Sequence, residues 1–175
     1  MNYKYLGVPV VLLAIFFLFA TAQDASTSGA VSEGIGYEAT VCISKNNELI
    51  GCQANTLTNG ENVTRDLLGF GSGSAVDYIA LATNETAVGP DNDALNNEVA
   101  GDGGERAQGT YSVNAGEGNW SIVNTFTATA NIHDINATGL FNDSSGGMYF
   151  AGVGFASVDL NTNDQLTVNW TISIS

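Results

Sequence analysis

Residues 165–175 alternate without a break: Leu166, Val168, Trp170, Ile172 and Ile174 are apolar, and Thr167, Asn169, Thr171 and Ser173 between them are polar. A period of two carried by β-branched and aromatic residues predicts a strand with one buried and one solvated face. Side chains of a strand point alternately to opposite faces, so the apolar set must rest on a core that other strands supply. One apolar face calls for a second sheet. The pattern therefore predicts an all-β fold, an antiparallel β-sandwich of jelly-roll-like character.

The alternation recurs upstream. Residues 37–44 and 48–56 read as a hairpin around Lys45-Asn46-Asn47, because asparagine tolerates the positive φ that tight turns require. Residues 76–83, 109–114, 119–131, 132–141 and 147–158 read as further strands, and 161–164 as the turn into the last one. Within 119–131, Trp120, Ile122, Phe126, Ala128 and Ala130 share a face; within 147–158, Met148 and Phe150 are set against Tyr149, Val153 and Phe155. The period changes once. Val63, Leu67, Leu68 and Phe70 follow helical spacing and a Gly-Phe-Gly-Ser-Gly stretch ends the segment, which predicts one short helix over 59–70. Residues 84–104 read as a long polar loop with a turn of helix over 93–99. The sandwich domain thus spans 37–175, with seven or eight strands expected.

Ahead of it the pattern differs. Residues 6–19 are almost wholly apolar, follow a single lysine and lead to Ala20-Thr21-Ala22, the small-x-small pattern of a signal-peptidase site. Residues 1–22 are expected to be a cleaved secretory signal. An apolar run of about 17 residues reaches the lower limit for a bilayer span, but no basic stop-transfer residues follow it. Residues 23–36 are rich in Ser, Gly and Ala without periodicity and read as a flexible leader, with Val31 and Ile35 as its aliphatic anchors.

Charge narrows the partners. Four Lys and Arg face 18 Asp and Glu, a formal net charge of −14. Nucleic acids and anionic lipid surfaces both demand clustered basic residues, so neither is expected as a partner, nor is a membrane once the signal is removed. Only 13% of residues are charged, so the surface must be mainly Asn, Thr, Ser and Gly, as suits a secreted, extracellular β-protein. Sequons begin at Asn62, Asn84, Asn119, Asn136, Asn142 and Asn169. All but Asn142, whose middle residue is Asp143, are candidate glycosylation sites; the competing reading is an Asn/Thr-rich sheet surface that generates such triplets without sugar.

Cys42 and Cys52, on the two arms of the first hairpin, are the only cysteines of a chain expected to be exported, which favours a disulfide. Register complicates it: a two-residue Asn46-Asn47 turn sets Val41, not Cys42, opposite Cys52, so the bridge needs a bulge or a longer loop. Catalytic chemistry is not written in the chain. His133 has no nucleophile at catalytic spacing, there is no Gly-x-Ser-x-Gly elbow, and the glycines of 69–73 lack a phosphate-loop lysine. Asp91, Asp93, Asn96, Asn97 and Glu98 collect the oxygen donors that calcium takes, but Leu95 falls where a ligand belongs and no glycine stands at the sixth position. No enzyme activity and no cofactor are expected, and calcium is the single ion the loop hints at.

The hairpin Val41-x-Ile43-Ser44-Lys45-Asn46-Asn47-Glu48-Leu49-Ile50, then Asn55-Thr56-Leu57-Thr58-Asn59-Gly60 and Arg65-Asp66-Leu67-Leu68, resembles the start of a family of small β-sandwich proteins of tailed viruses and microbial genomes. Tyr78-Ile79-Ala80-Leu81-Ala82-Thr83, Asp93-Ala94-Leu95-Asn96-Asn97-Glu98-Val99, the stretch from Gly139 to Met148 and Leu166-Thr167-Val168-Asn169-Trp170-Thr171-Ile172 are similar in order and spacing. The resemblance covers about residues 37–175. It implies a tail-associated or structural role and carries no catalytic residue across; the signal, cysteines and sequons depart from it and point to a cell-surface relative. The expectation is a secreted structural subunit of an extracellular filament or surface assembly, whose partner is itself: the leader adds a strand to the next copy. A glycan-binding or adhesive module is the alternative, for which Trp120 would have to be exposed; a virion surface component is the third. Trp120, Trp170, Phe126, Phe150 and Phe155 are expected in the core.

Overall fold

The computed structural model describes residues 37–57, 74–84, 94–114 and 118–174. Ten strands occur there: β1 (Tyr37–Lys45), β2 (Glu48–Ala54), β3 (Thr56–Leu57), β4 (Tyr78–Ala82), β5 (Ala107–Gln108), β6 (Thr110–Asn114), β7 (Asn119–Thr127), β8 (Ile132–Phe141), β9 (Tyr149–Leu160) and β10 (Gln165–Ile174). They form two five-stranded sheets, ordered β2-β1-β10-β7-β6 and β3-β9-β8-β4-β5, with every pairing antiparallel. No helix occurs among the described residues, hence none long and apolar enough to cross a membrane. The expected helix over 59–70, the signal 1–22, the leader with Val31 and Ile35, and the sequon at Asn62 lie outside the described residues.

The last strand sits at the centre of the first sheet, between β1 and β7. Its register explains the core: Val41, Trp170 and Ile122 lie side by side across three strands, as do Ala39, Ile172 and Trp120, and Ile43 pairs with Val168 across two. Leu166, Val168, Trp170 and Ile172 are buried. They meet Ile79, Leu81, Ile135, Leu140, Val153, Phe155 and Leu160 of the second sheet in one cluster, so the arrangement is sandwich-like. Phe126, Phe150, Phe155 and Trp170 are all core residues, and Trp120 packs against that core.

The ten strands exceed the seven or eight expected: β5 falls where no strand is expected, the strand expected over 119–131 ends at Thr127, and three further elements depart from the sequence pattern. The arm expected over 48–56 breaks at Asn55, whose N–H donates to Ala39 O, and Thr56–Leu57 then pairs with β9 in the other sheet. In β9 the register shifts so that Leu140 faces Ala151 while Phe141 faces Tyr149, leaving Phe150 as the extra residue. A bulge breaks the strict alternation of side chains. Phe150 therefore joins Val153 and Phe155 in the main core, and Tyr149 turns to the far face of the second sheet. The turn of helix expected over 93–99 is absent from 94–99, where bends lead to a single bridge between Ala82 and Glu98.

Candidate functional site

The outward face of the first sheet is built by the polar half of each alternating strand. Residues paired across an antiparallel ladder share a face, so Thr40, Thr171, Ser121 and Ser112 form one row across four strands, and Ser44, Thr167 and Thr125 another. Hydroxyls within the rows bond to each other: Ser112 to Ser121 at 2.6 Å and Thr125 to Thr167 at 2.8 Å. Glu38 is the one ionisable side chain on this face among the described residues. Asn119 with Ser121, and Asn169 with Thr171, lie here too.

Cys42 and Cys52 form a disulfide on the same face. Asn46 and Asn47 make a two-residue turn with φ of 49° and 68°. Lys45 faces Glu48 and Ser44 faces Leu49, but Ile43 faces Gly51, so the bulge absorbs Ile50 and brings Cys42 opposite Cys52. This supplies the irregularity the bridge requires. The turn is pinned: Asn46 donates its side-chain N–H to Asp164 at 2.9 Å, Lys45 pairs with the same carboxylate at 2.9 Å, and Asn46 accepts from the Gln165 N–H at 2.8 Å. The Asn46 amide, the Asn161 N–H and the Lys45 ammonium hold the Asp164 carboxyl well below the usual carboxylate range.

The other sequons are less open. Asn136 begins a triplet whose Thr138 is fully buried and donates to Ala80 O at 2.7 Å. Asn136 and Asn169 each bury a side-chain carbonyl oxygen without a hydrogen-bond partner. Asn142 accepts the Met148 N–H at 2.6 Å. Asn84 ends the β4 segment half-buried.

Among the described residues, the large apolar side chains left exposed lie on the edge strands of the first sheet: Leu49 (62%) and Ile50 (39%) on β2, Tyr111 (59%) and Val113 (58%) on β6. The β2 pair borders a shallow hollow of about 410 Å³ with Lys45, Asn46 and Glu48. The bulge and disulfide interrupt that edge; β6 carries neither. Tyr111 faces Ile122 and Val113 faces Trp120, so both lie on the core side of the sheet yet remain in solvent.

The outward face of the second sheet is the opposite. Ala80, Ala82, Ala137, Phe141 and Tyr149 are buried there beneath Leu95. Arg106 closes this second cluster: its guanidinium stands 3.5 Å over the Phe141 ring, grips both Glu98 oxygens at 2.8 and 2.7 Å, and donates to the carbonyls of Asp143 and Gly146 at 3.0 and 2.7 Å. Its side chain is 9% exposed. Leu95, which spoiled the calcium pattern, is thus a core residue, and Glu98 is held by arginine. Asp91 and Asp93 lie outside the described residues. Among the described residues no three His, Cys, Asp or Glu side chains gather as metal ligands. His133 is exposed, 3.5 Å from Asp159, whose carboxyl is held low chiefly by the Asp134 N–H.

The sequence pattern missed Arg106, Leu95 and the two edges. A signal existed for the first two: residues 78–82 read apolar on both faces, as a strand buried on both sides does, and so called for a cover. Comparison with family models, curated proteins and solved structures gives no significant match for this chain.

Proposed function

We propose that this chain is a secreted structural protein, a jelly-roll-like β-sandwich that serves as the subunit of an extracellular filament or cell-surface assembly. The observation that carries this reading is that Leu49, Ile50, Tyr111 and Val113, the large apolar residues exposed on the described surface, all lie on the two edge strands of the first sheet. Edge strands offer unpaired backbone groups that an extended segment can join. The leader 23–36 is the donor, and Val31 and Ile35 seat against the aliphatic side chains at the β2 edge. A contact that gives a strand at one place and takes one at another is heterologous, and it propagates as a filament when its rotation does not close into a ring. The resemblance to small tail-associated sandwich proteins is in keeping with this role. Asn119 carries a sugar on the polar face of the first sheet, beside Asn114 of β6, and Asn169, whose side-chain oxygen is buried, is the less open site of the two. The adhesive alternative asked for an exposed Trp120, and Trp120 packs against the core.

Electron microscopy paired with light scattering tests the reading on residues 23–175, on residues 37–175, and on the longer chain carrying Val31→Asp and Ile35→Asp. Fibres from the first alone support strand donation. Monomers from all of them overturn it and direct attention to glycan binding.

A further inference from the structure

We propose that β6 pairs with β6 of a second copy of this chain, antiparallel about a two-fold axis through Ser112. This rests on the reading that the chain assembles through open edges, and it assigns the second of them. In that register Thr110 faces Asn114 of the second copy, Tyr111 faces Val113, and Ser112 faces its own equivalent. The pattern is therefore self-complementary, as an isologous contact requires. Tyr111 and Val113 share the core-side face of the sheet. Pairing brings two copies of each together in one apolar cluster, built from the aromatic with β-branched cross-strand pairs that stabilise antiparallel ladders. On the opposite face Thr110 and Ser112 continue the hydroxyl rows across the axis.

Charge selects the occupant. The chain carries a net −14, so two copies repel at most orientations. Residues 110–114, Thr-Tyr-Ser-Val-Asn, hold no ionisable carboxylate or cation that would either repel a like copy or attract a basic partner. The β2 edge, by contrast, carries Glu48, a bulge and a disulfide. An unguarded strand edge without charge is the usual template for pairing with another chain. With β6 closed by a two-fold and β2 taken by the leader, dimers become the repeating unit of the assembly.

Three variants of the full secreted chain test this, each checked for an intact Cys42–Cys52 bridge by mass spectrometry. Residues directly opposite in an antiparallel pair have Cα atoms about 4.5–5.5 Å apart, within disulfide reach. Ser112→Cys is expected to give a covalent dimer under mild oxidation, whereas Thr110→Cys, displaced from the axis, is expected to give several-fold less. Tyr111→Lys is expected to weaken self-association on the order of tenfold or more in sedimentation velocity. Added salt should strengthen the parent dimer, because it screens repulsion between bodies that touch through an uncharged strand. Cross-linking through Thr110→Cys equal to that through Ser112→Cys, or unchanged association in Tyr111→Lys, overturns the pairing. Fibres that depend on Val31 and Ile35 without cross-linking at position 112 would sink this inference and leave leader donation standing; covalent dimers without fibres would do the reverse.

Discussion

The outward faces of the two sheets solve opposite problems with the same backbone. On the first sheet, Thr, Ser and Asn alternate with core residues, and the face meets solvent as rows of hydroxyls. On the second, Ala80, Ala82, Ala137 and Gly139 leave room for Tyr149, Phe141 and Leu95, and Arg106 fastens the chain above them. A strand with small apolar residues on its second face buries both faces only if another segment covers it. The lesson is that the covered face is held by a second layer of tertiary contacts, whereas the bare face carries none above it and leaves large apolar side chains exposed on its edge strands.

Arg106→Ala should break this contrast most severely. It leaves the Glu98 carboxylate and two carbonyls without their cation and uncovers Phe141, for a loss of about 3 kcal/mol in guanidinium unfolding. Replacing both Cys42 and Cys52 by Ser comes next, at about 2.5 kcal/mol for a bridge closing 10 residues, although both lie on the bare face. That cost arises chiefly in the unfolded chain, so the native hydrogen-exchange pattern should hold while the Tm falls.

Gly139→Ala tests the fit of the covered face. A Cβ there would stand 2.7 Å from Tyr149 Cε2 and 3.3 Å from Leu95 Cδ2, and forcing the buried ring aside should cost about 2 kcal/mol in thermal or chemical unfolding.

Asp164 titrates at the pinned turn. Its folded pKa is depressed, so the stability it contributes is present above the ordinary aspartate value near 4 and is lost as pH falls below it. Asp164→Asn should therefore flatten the Tm profile in that acid range, with a smaller effect than the changes above. The smallest effect belongs to Thr125→Val with Thr167→Val, which removes a surface hydroxyl pair at 2.8 Å and should shift stability by no more than about 0.5 kcal/mol. Equal losses from the threonine pair and from Arg106 would erase the distinction between the faces.

Local pattern carried much of the fold. Residues 132–141 coincide with β8, and β10 follows its alternation with Leu166, Val168, Trp170 and Ile172 all buried. The hairpin turn, and the irregularity needed to set Cys42 against Cys52, follow from counting residues. Elsewhere counting fails for physical reasons. A bulge at Phe150 exchanges the faces of Phe150 and Tyr149, and nothing in the two aromatic residues says which is the extra one. Leu95 and Arg106 lie in a polar stretch, and their roles arise only where β4, β8 and two loops come together.

The edges are the sharpest case. Tyr111 and Val113 occupy alternate positions of a short strand, as core residues do, and hydrophobic periodicity determines that they share a face. Whether that face is covered depends on which strands flank β6, and strand order is set by pairings between residues far apart in the chain. The sequence by itself thus determined most of the long strands, the Asn46-Asn47 turn, the tendency of Cys42 to bridge to Cys52 and the polar face, because each arises from neighbours within a few residues. Only the tertiary structure decided which strand is an edge, which loop is a cover and where apolar surface remains exposed, because those follow from long-range packing that no local period encodes.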